Sequence, residues 1–400
     1  TIDYGSRCQR PETITNPLNQ TSTIVYDYTL GVPTTQMDPN LLAVLMEYDG
    51  FGRPTRIQRP DQTATRIART ACSSGNNWCG KGVNSLRYKV TATERTTADA
   101  ILRTEEQFFD GLDRLRFAHS DSLESGPAMV EVRYDAFGRP TQRSQPYFAG
   151  GTVYWTTYSY DLLGRLTQET APAGQSPAVP RTTGYAYEGR DIRITDPRGH
   201  VTVQTTDVAG LLRRVIDPSP GGTTVYEHKP FGELASITDA AGNVSSWSYN
   251  VRGFVTQTVD PDAGTWTWGT SSAAKNIGRL ASVSSPGGYA ESYTYDSFGR
   301  PSQQQVTADG TTYTINQTYH AATGELATLE YPVSTSGYRL KLAYDYQNGI
   351  LQRIRDANGS THFWTLTSTS PFGQVQNETF GNGVATFTEY DPATGWMLRR

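Results

Sequence analysis

Between turns, Tyr, Thr, Val and Trp alternate with small polar residues over about five to nine positions, the period of a strand with two unlike faces. Trp247 and Tyr249 fall on one face of such a run, as do Trp266 and Trp268, and Tyr313, Ile315 and Tyr319. The nearest thing to a helical period lies between Thr97 and Phe109, where a turn or two of helix is the competing expectation.

Four near-identical hexads interrupt the alternation: Tyr48-Asp49-Gly50-Phe51-Gly52-Arg53, Tyr134-Asp135-Ala136-Phe137-Gly138-Arg139, Tyr160-Asp161-Leu162-Leu163-Gly164-Arg165 and Tyr295-Asp296-Ser297-Phe298-Gly299-Arg300. Weaker copies lie between and after them, at Asp207 to Gly210, Phe231-Gly232, Tyr249 to Gly253, Tyr319 to Gly324 and Tyr390 to Gly395. The spacing of roughly 21 to 26 residues is that of a repeat array, in which each unit buries its apolar face only against its neighbours. A second mark, Asp followed shortly by Gly, recurs between the hexads at Asp196, Asp239, Asp260 and Asp356, which gives each repeat two turns. An Asp side chain can accept a backbone N–H about two residues on, and a Gly can take the left-handed conformation that closes a hairpin loop of about four or five residues. The predicted fold is all-β: antiparallel hairpins joined in sequence order into one continuous curved sheet.

Composition changes this picture in one respect. With 36% apolar residues counting Tyr, and 11% aromatic, the chain has too little apolar surface to bury both faces of a sheet, so one broad face is expected to meet water and aromatic pairs to substitute for a deep core. The net charge of −4, with Lys and Arg scattered, lacks the basic face that a nucleic-acid partner requires. No apolar run has the length of a membrane-spanning helix. The chain starts at Thr1 without Met and stops after a turn that would open another strand, which reads as a piece of a longer protein.

Three cysteines do not make a disulfide framework. Cys72 and Cys79 are spaced to close a small loop if the compartment is oxidising, and two free thiols in a surface insertion are the alternative; Cys8 reads as a buried or semi-exposed thiol. His119, His200, His228, His320 and His362 show no ligand spacing, and no cofactor is expected.

The Tyr-Asp-x-x-Gly-Arg hexads with their intervening Asp-x-x-Gly marks resemble the YD-repeat or RHS-repeat family, which includes the B and C subunits of insecticidal Tc-type toxin complexes, bacterial polymorphic RHS toxins and the animal teneurins. The resemblance extends over roughly residues 20 to 400 and divides the chain into N-terminal repeats at 1–69, a Cys-containing irregular insertion at 70–108, and a repeat array at 109–400 continuous with the first segment. It implies a β-sheet ribbon spiralling into a hollow shell, in which many bacterial members hold a toxic C-terminal segment. The segments Gln145 to Gly151 and Tyr154 to Tyr158 are similar to stretches of large secreted bacterial members. The partners so implied are the rest of the polypeptide or a companion RHS subunit that completes the shell, and an encapsulated toxin or effector, in a secreted or cell-surface bacterial protein.

The Asp-Pro pairs at Asp196, Asp217, Asp260 and Asp391 resemble cleavage sites, but all lie in phase with the repeats and read as turns. The nucleophile elbow, the P-loop and the His-Glu-x-x-His zinc motif are absent from the sequence. The expected function is therefore that of a non-catalytic shell wall. A glycan- or protein-binding surface built on Trp155, Trp266, Trp268 and Trp364 is the runner-up, and a paired-carboxylate glycosidase ranks last.

Overall fold

The computed structural model describes residues 1–72, 86–123, 126–174, 181–218 and 221–400. Among these residues there is no helix. Thirty-three strands form one antiparallel sheet, and two short strands, Glu389–Tyr390 and Met397–Arg399, form a separate pair. Each strand hydrogen-bonds to the strands before and after it in sequence, from Ile2–Asp3 to Ala385–Phe387, so the sheet is a meander with very local connections. Polar side chains alternate with apolar ones along many of the strands, and few apolar residues are fully covered.

The best-formed core lies where Phe108, Phe117 and Met129 pack together against Cys72, Leu86 and Tyr147. The sheet changes course at the same place. The strand Ala128–Tyr134 pairs through its first half, Ala128 to Glu131, with Leu115–Ser120, and through its second half, Val132 to Tyr134, with Pro140–Ser144.

Residues 97–109 contain no helix, in line with the all-β expectation; Ile101–Asp110 is a strand of ten residues paired on both sides. Nor is 70–108 irregular from Leu86 onward, since Leu86–Arg95 pairs with Ala64–Ala71 and with Ile101–Asp110 over nearly its whole length. The strand pattern is hidden because the inward positions carry a polar cluster. Lys89 and Thr91 both bond the Glu106 carboxylate, and His119 Nε2 lies 3.0 Å from it, which makes buried strand positions polar in sequence. The Cys72–Cys79 pairing lies outside the described residues through Cys79. Cys8 is a free thiol and is exposed rather than buried.

The meander also winds back on itself. Asn40 Nδ2 donates to the Ile277 carbonyl at 3.2 Å and Ile277 N–H donates to Asn40 Oδ1 at 2.6 Å, across a sequence separation of 237. Further along, Thr97 N–H bonds the Ala322 carbonyl at 2.8 Å, and Asn348 Nδ2 reaches the Ser122 carbonyl at 3.4 Å across a separation of 226. All these contacts are made by turns. Successive winds of the sheet therefore meet edge to edge.

Candidate functional site

The repeated chemistry of this chain sits in its turns. At the first hexad, Gly52 N–H bonds the Asp49 carbonyl at 3.0 Å and Asp49 N–H bonds the Arg53 carbonyl at 2.9 Å, with Gly52 at φ 75°. This is a type I turn followed by a left-handed residue, and the pairing register shifts at Tyr48 as that geometry requires. Asp49 Oδ1 accepts the N–H groups of Phe51 at 2.9 Å and Arg53 at 3.1 Å, while Oδ2 takes Arg53 Nε at 2.8 Å. The same bonds recur around Asp135, Asp161 and Asp296, each bound by the Arg four residues on at 2.7–2.8 Å. Gly138, Gly164 and Gly299 lie at φ 83°, 81° and 73°. The Arg53 guanidinium beside Asp49 holds its carboxyl down at about 2, and the Asp161 carboxyl is lowered mainly by the Arg165 N–H it accepts.

The tyrosines bind one hairpin to the next. Tyr48 donates its hydroxyl to the Pro33 carbonyl at 2.6 Å, Tyr134 to Leu115 at 2.7 Å, Tyr160 to Pro140 at 2.7 Å and Tyr295 to Leu280 at 2.6 Å. Tyr187, Tyr249, Tyr319 and Tyr390 repeat the bond. In every case the acceptor is the first or second residue of the strand that follows the preceding turn on the same side of the meander. The cation of that preceding turn stacks on the ring, Arg114 over Tyr134 at 5.0 Å, Arg139 over Tyr160 at 4.9 Å, Arg165 over Tyr187 at 4.5 Å and Arg279 over Tyr295 at 5.6 Å. Burial pushes the phenols of Tyr48, Tyr134, Tyr160 and Tyr295 upward, which keeps them protonated donors at neutral pH. The hexad is thus a joint: its Asp shapes the turn, its Arg holds the Asp and covers the next Tyr, and its Tyr grips the previous repeat. Turn chemistry is evident in the sequence, whereas the tyrosine acceptor is a main-chain carbonyl and leaves no residue signal.

The other candidates are engaged in local structure. Asp196 Oδ1 accepts Arg198 and His200 N–H, both at 2.8 Å, and Asp260 Oδ1 accepts Asp262 and Ala263 N–H, both at 2.9 Å. Asp217 N–H closes its own loop on the Gly222 carbonyl at 3.0 Å. Asp391 is buried and accepts Ala393 N–H at 2.8 Å. Trp266 Nε1 donates to the Ala263 carbonyl at 3.1 Å, Trp268 Nε1 to Thr258 Oγ1 at 3.4 Å and Trp364 Nε1 to Glu378 Oε2 at 2.6 Å, while Arg133 stacks on Trp155 at 4.1 Å. Among the described residues, no three of His, Cys, Asp and Glu converge as a metal site. A cleft of about 610 Å³ opens where the sheet changes course, lined by Leu115, Val132, Tyr134, Tyr158, Tyr160 and Leu166 among others, so it is largely apolar and aromatic.

An open antiparallel hairpin array joined by Tyr-Asp-x-x-Gly-Arg turns is the class this geometry defines. Residues 134–176, 230–265 and 277–312 match the family model described as RHS Repeat, so these three segments are similar to RHS repeats. No curated protein sequence matches it. Among solved structures, a TcdB2-TccC3 complex without its hypervariable C-terminal region is similar over 99% of this chain with a TM-score of 0.52 and 15% identity. A further TcdB2-TccC3 structure gives 0.54 and 16% over 99% of this chain, and the Photorhabdus luminescens Tc holotoxin pore 0.50 and 14% over all of it. At such identities the likeness is one of fold alone. The chain spans only 28–29% of the length of those chains.

Proposed function

We propose that this chain is a wall segment of an RHS shell that encloses a polypeptide cargo, a toxin or effector, and performs no catalysis itself. The observation that carries the reading is the edge-to-edge contact of successive winds, at Asn40 with Ile277, Thr97 with Ala322 and Ser122 with Asn348, by which a narrow ribbon becomes a continuous wall. Its mechanism is physical: a walled compartment holds an unfolded or aggregation-prone segment away from proteases and from other chains. The apolar cleft beside Tyr134 and Tyr160 suits unfolded polypeptide, which exposes side chains of that kind. The setting we assign is a secreted or cell-surface bacterial protein, with the remaining repeats or a companion RHS subunit closing the shell. Glycan binding through the tryptophans has less support, because the ring N–H groups of Trp266, Trp268 and Trp364 are spent on the protein itself.

The test is protection. A protease-sensitive, unfolded reporter fused after Arg400 should be cut by trypsin several-fold more slowly than the same reporter free in solution with the chain. Equal cutting rates would refute the enclosure reading.

A further inference from the structure

The cleft of about 610 Å³ at the change of course is lined from six neighbouring strands, from Gln107 on Ile101–Asp110 to Leu166 on Leu166–Ala171. It therefore runs across the strands. At the usual strand spacing the crossing is roughly 24 Å, the length of about seven extended residues. A small ligand would occupy only part of such a trough.

The main chain around it is already bonded. Where Ala128–Tyr134 leaves Leu115–Ser120, the Leu115 carbonyl accepts the Tyr134 hydroxyl at 2.7 Å and the Val132 carbonyl accepts Arg116 Nε at 3.2 Å. The Pro140 carbonyl accepts the Tyr160 hydroxyl at 2.7 Å. Recognition in the cleft thus falls to side chains. The rings of Tyr134 and Tyr160 are held in place by these bonds and by Arg114 and Arg139 stacked on them, so they form fixed walls.

Three polar side chains on the same lining have no such commitment. Among the described residues, the Arg143 guanidinium, the Tyr158 hydroxyl and the Gln107 amide make no hydrogen bond and no ion pair. Arg143 stands opposite Val132 in the register, hence on the apolar face, and its charge acts on the phenols of both Tyr134 and Tyr158. Glu169, opposite Tyr158, is not paired with it. The turn arginines differ: Arg53, Arg139, Arg165 and Arg300 each hold an Asp. Arg143 is a planar donor fork without an acceptor, set among apolar groups, and a carboxylate is the partner that fits it.

We propose that this cleft holds an extended segment of polypeptide in which an acidic side chain is flanked by apolar or aromatic residues. Its carboxylate meets Arg143, with Tyr158 and Gln107 as further donors, and its flanks lie on Leu115, Val132 and Leu166. The inference rests on the shell reading and names the kind of cargo segment that the wall retains.

Fluorescence anisotropy on the full chain tests this, with a labelled peptide as long as the cleft, made of Leu, Phe and Thr around one central Glu. The Glu peptide should bind at least about tenfold more tightly than the same peptide with Gln. Arg143→Gln should abolish that preference and leave the melting temperature unchanged, because the side chain is exposed and unbonded. Leu166→Gln, at the far end of the cleft, should weaken both peptides several-fold and leave their ratio intact, with an unchanged circular dichroism spectrum. Equal binding of the two peptides, a Glu preference that survives Arg143→Gln, or unaltered binding in Leu166→Gln would each overturn the proposal. Hexanoate competing as strongly as the unlabelled Glu peptide would overturn it too, by assigning the cleft to a small free acid. Trypsin protection of a fused reporter without such a segment depends on the walls alone, so the shell reading stands or falls separately.

Discussion

The hydroxyl of Tyr160 donates to the carbonyl of Pro140 at 2.7 Å, so a side chain at the end of one hairpin holds the backbone at the start of the strand one turn earlier. Tyr295 repeats this bond with Leu280 at 2.6 Å in a more buried setting. Stability in this array is accordingly passed from repeat to repeat through ordered polar joints as well as through apolar contact, which suits a sheet with little apolar surface to bury.

Tyr295→Phe should cost about 0.5–1.5 kcal/mol in urea denaturation, because it removes a net hydrogen bond and leaves the Leu280 carbonyl without its donor. Tyr295→Ala should cost more, up to about 3–5 kcal/mol, because it also removes the ring on which Arg279 stacks. Equal effects of Phe and Ala would assign the whole contribution to the hydroxyl and contradict the packing role of the ring.

The turn residues should separate by chemistry. Gly164→Val places a β-branched residue at φ 81° and should destabilise by of order 1–3 kcal/mol. Asp161→Asn should be milder, since the remaining oxygen can still accept the N–H groups of Leu163 and Arg165. Asn250 already plays that part here, accepting Arg252 N–H at 2.9 Å and Phe254 N–H at 3.1 Å. Melting curves that rank Asp161→Asn as the worse change would remove the turn role from Asp161.

Acid should loosen the array at its turns. The carboxyls of Asp49, Asp135, Asp161 and Asp239 are all held below their ordinary value of 3.8, Asp49 at about 2 through Arg53. A folded-state value below the unfolded one means that the unfolded chain binds more protons in acid, so this stabilisation is complete above the ordinary value and is lost as pH falls towards 2. Denaturation midpoints measured between neutrality and acid should stay flat and then drop in that window, and Asp49→Asn should make the drop shallower. A midpoint insensitive to pH across the window would refute it.

The fold was legible in the sequence because its causes are local. Antiparallel hairpins joined in order need only the two-residue alternation and a turn whose residues, Asp and Gly, announce themselves. The strands Leu86–Arg95 and Ile101–Asp110 were not legible, since an inward Lys89–Glu106 pair reads as a solvated face until the partner strands are placed. The joints between repeats were hidden for another reason: Pro33, Leu115, Pro140 and Leu280 contribute a carbonyl, which any residue possesses. The seam between winds was hidden because Asn40 and Ile277 are brought together only by the curvature of the whole sheet.

The Asp-Pro bonds provide the last prediction. Self-cleavage at such a bond requires a carboxylate free to attack or to exchange a proton, with its ionisable form available at neutral pH. Asp196 has its carboxylate bonded to two backbone N–H groups and to His200 Nδ1 at 3.1 Å, and its carboxyl is lowered although desolvation opposes the shift. Asp260 is bonded to two N–H groups and to Ser245 Oγ at 2.8 Å, and Asp391 is buried with Ala393 N–H on its carboxylate. Each carboxylate is occupied in holding a turn, so the full chain incubated near neutral pH should remain a single species by mass spectrometry. The pH matters because Asp-Pro bonds also break chemically in acid. Discrete fragments ending at Asp196, Asp260 or Asp391, abolished by Asp→Asn at that position alone, would make that turn a catalytic site and end the purely structural reading there.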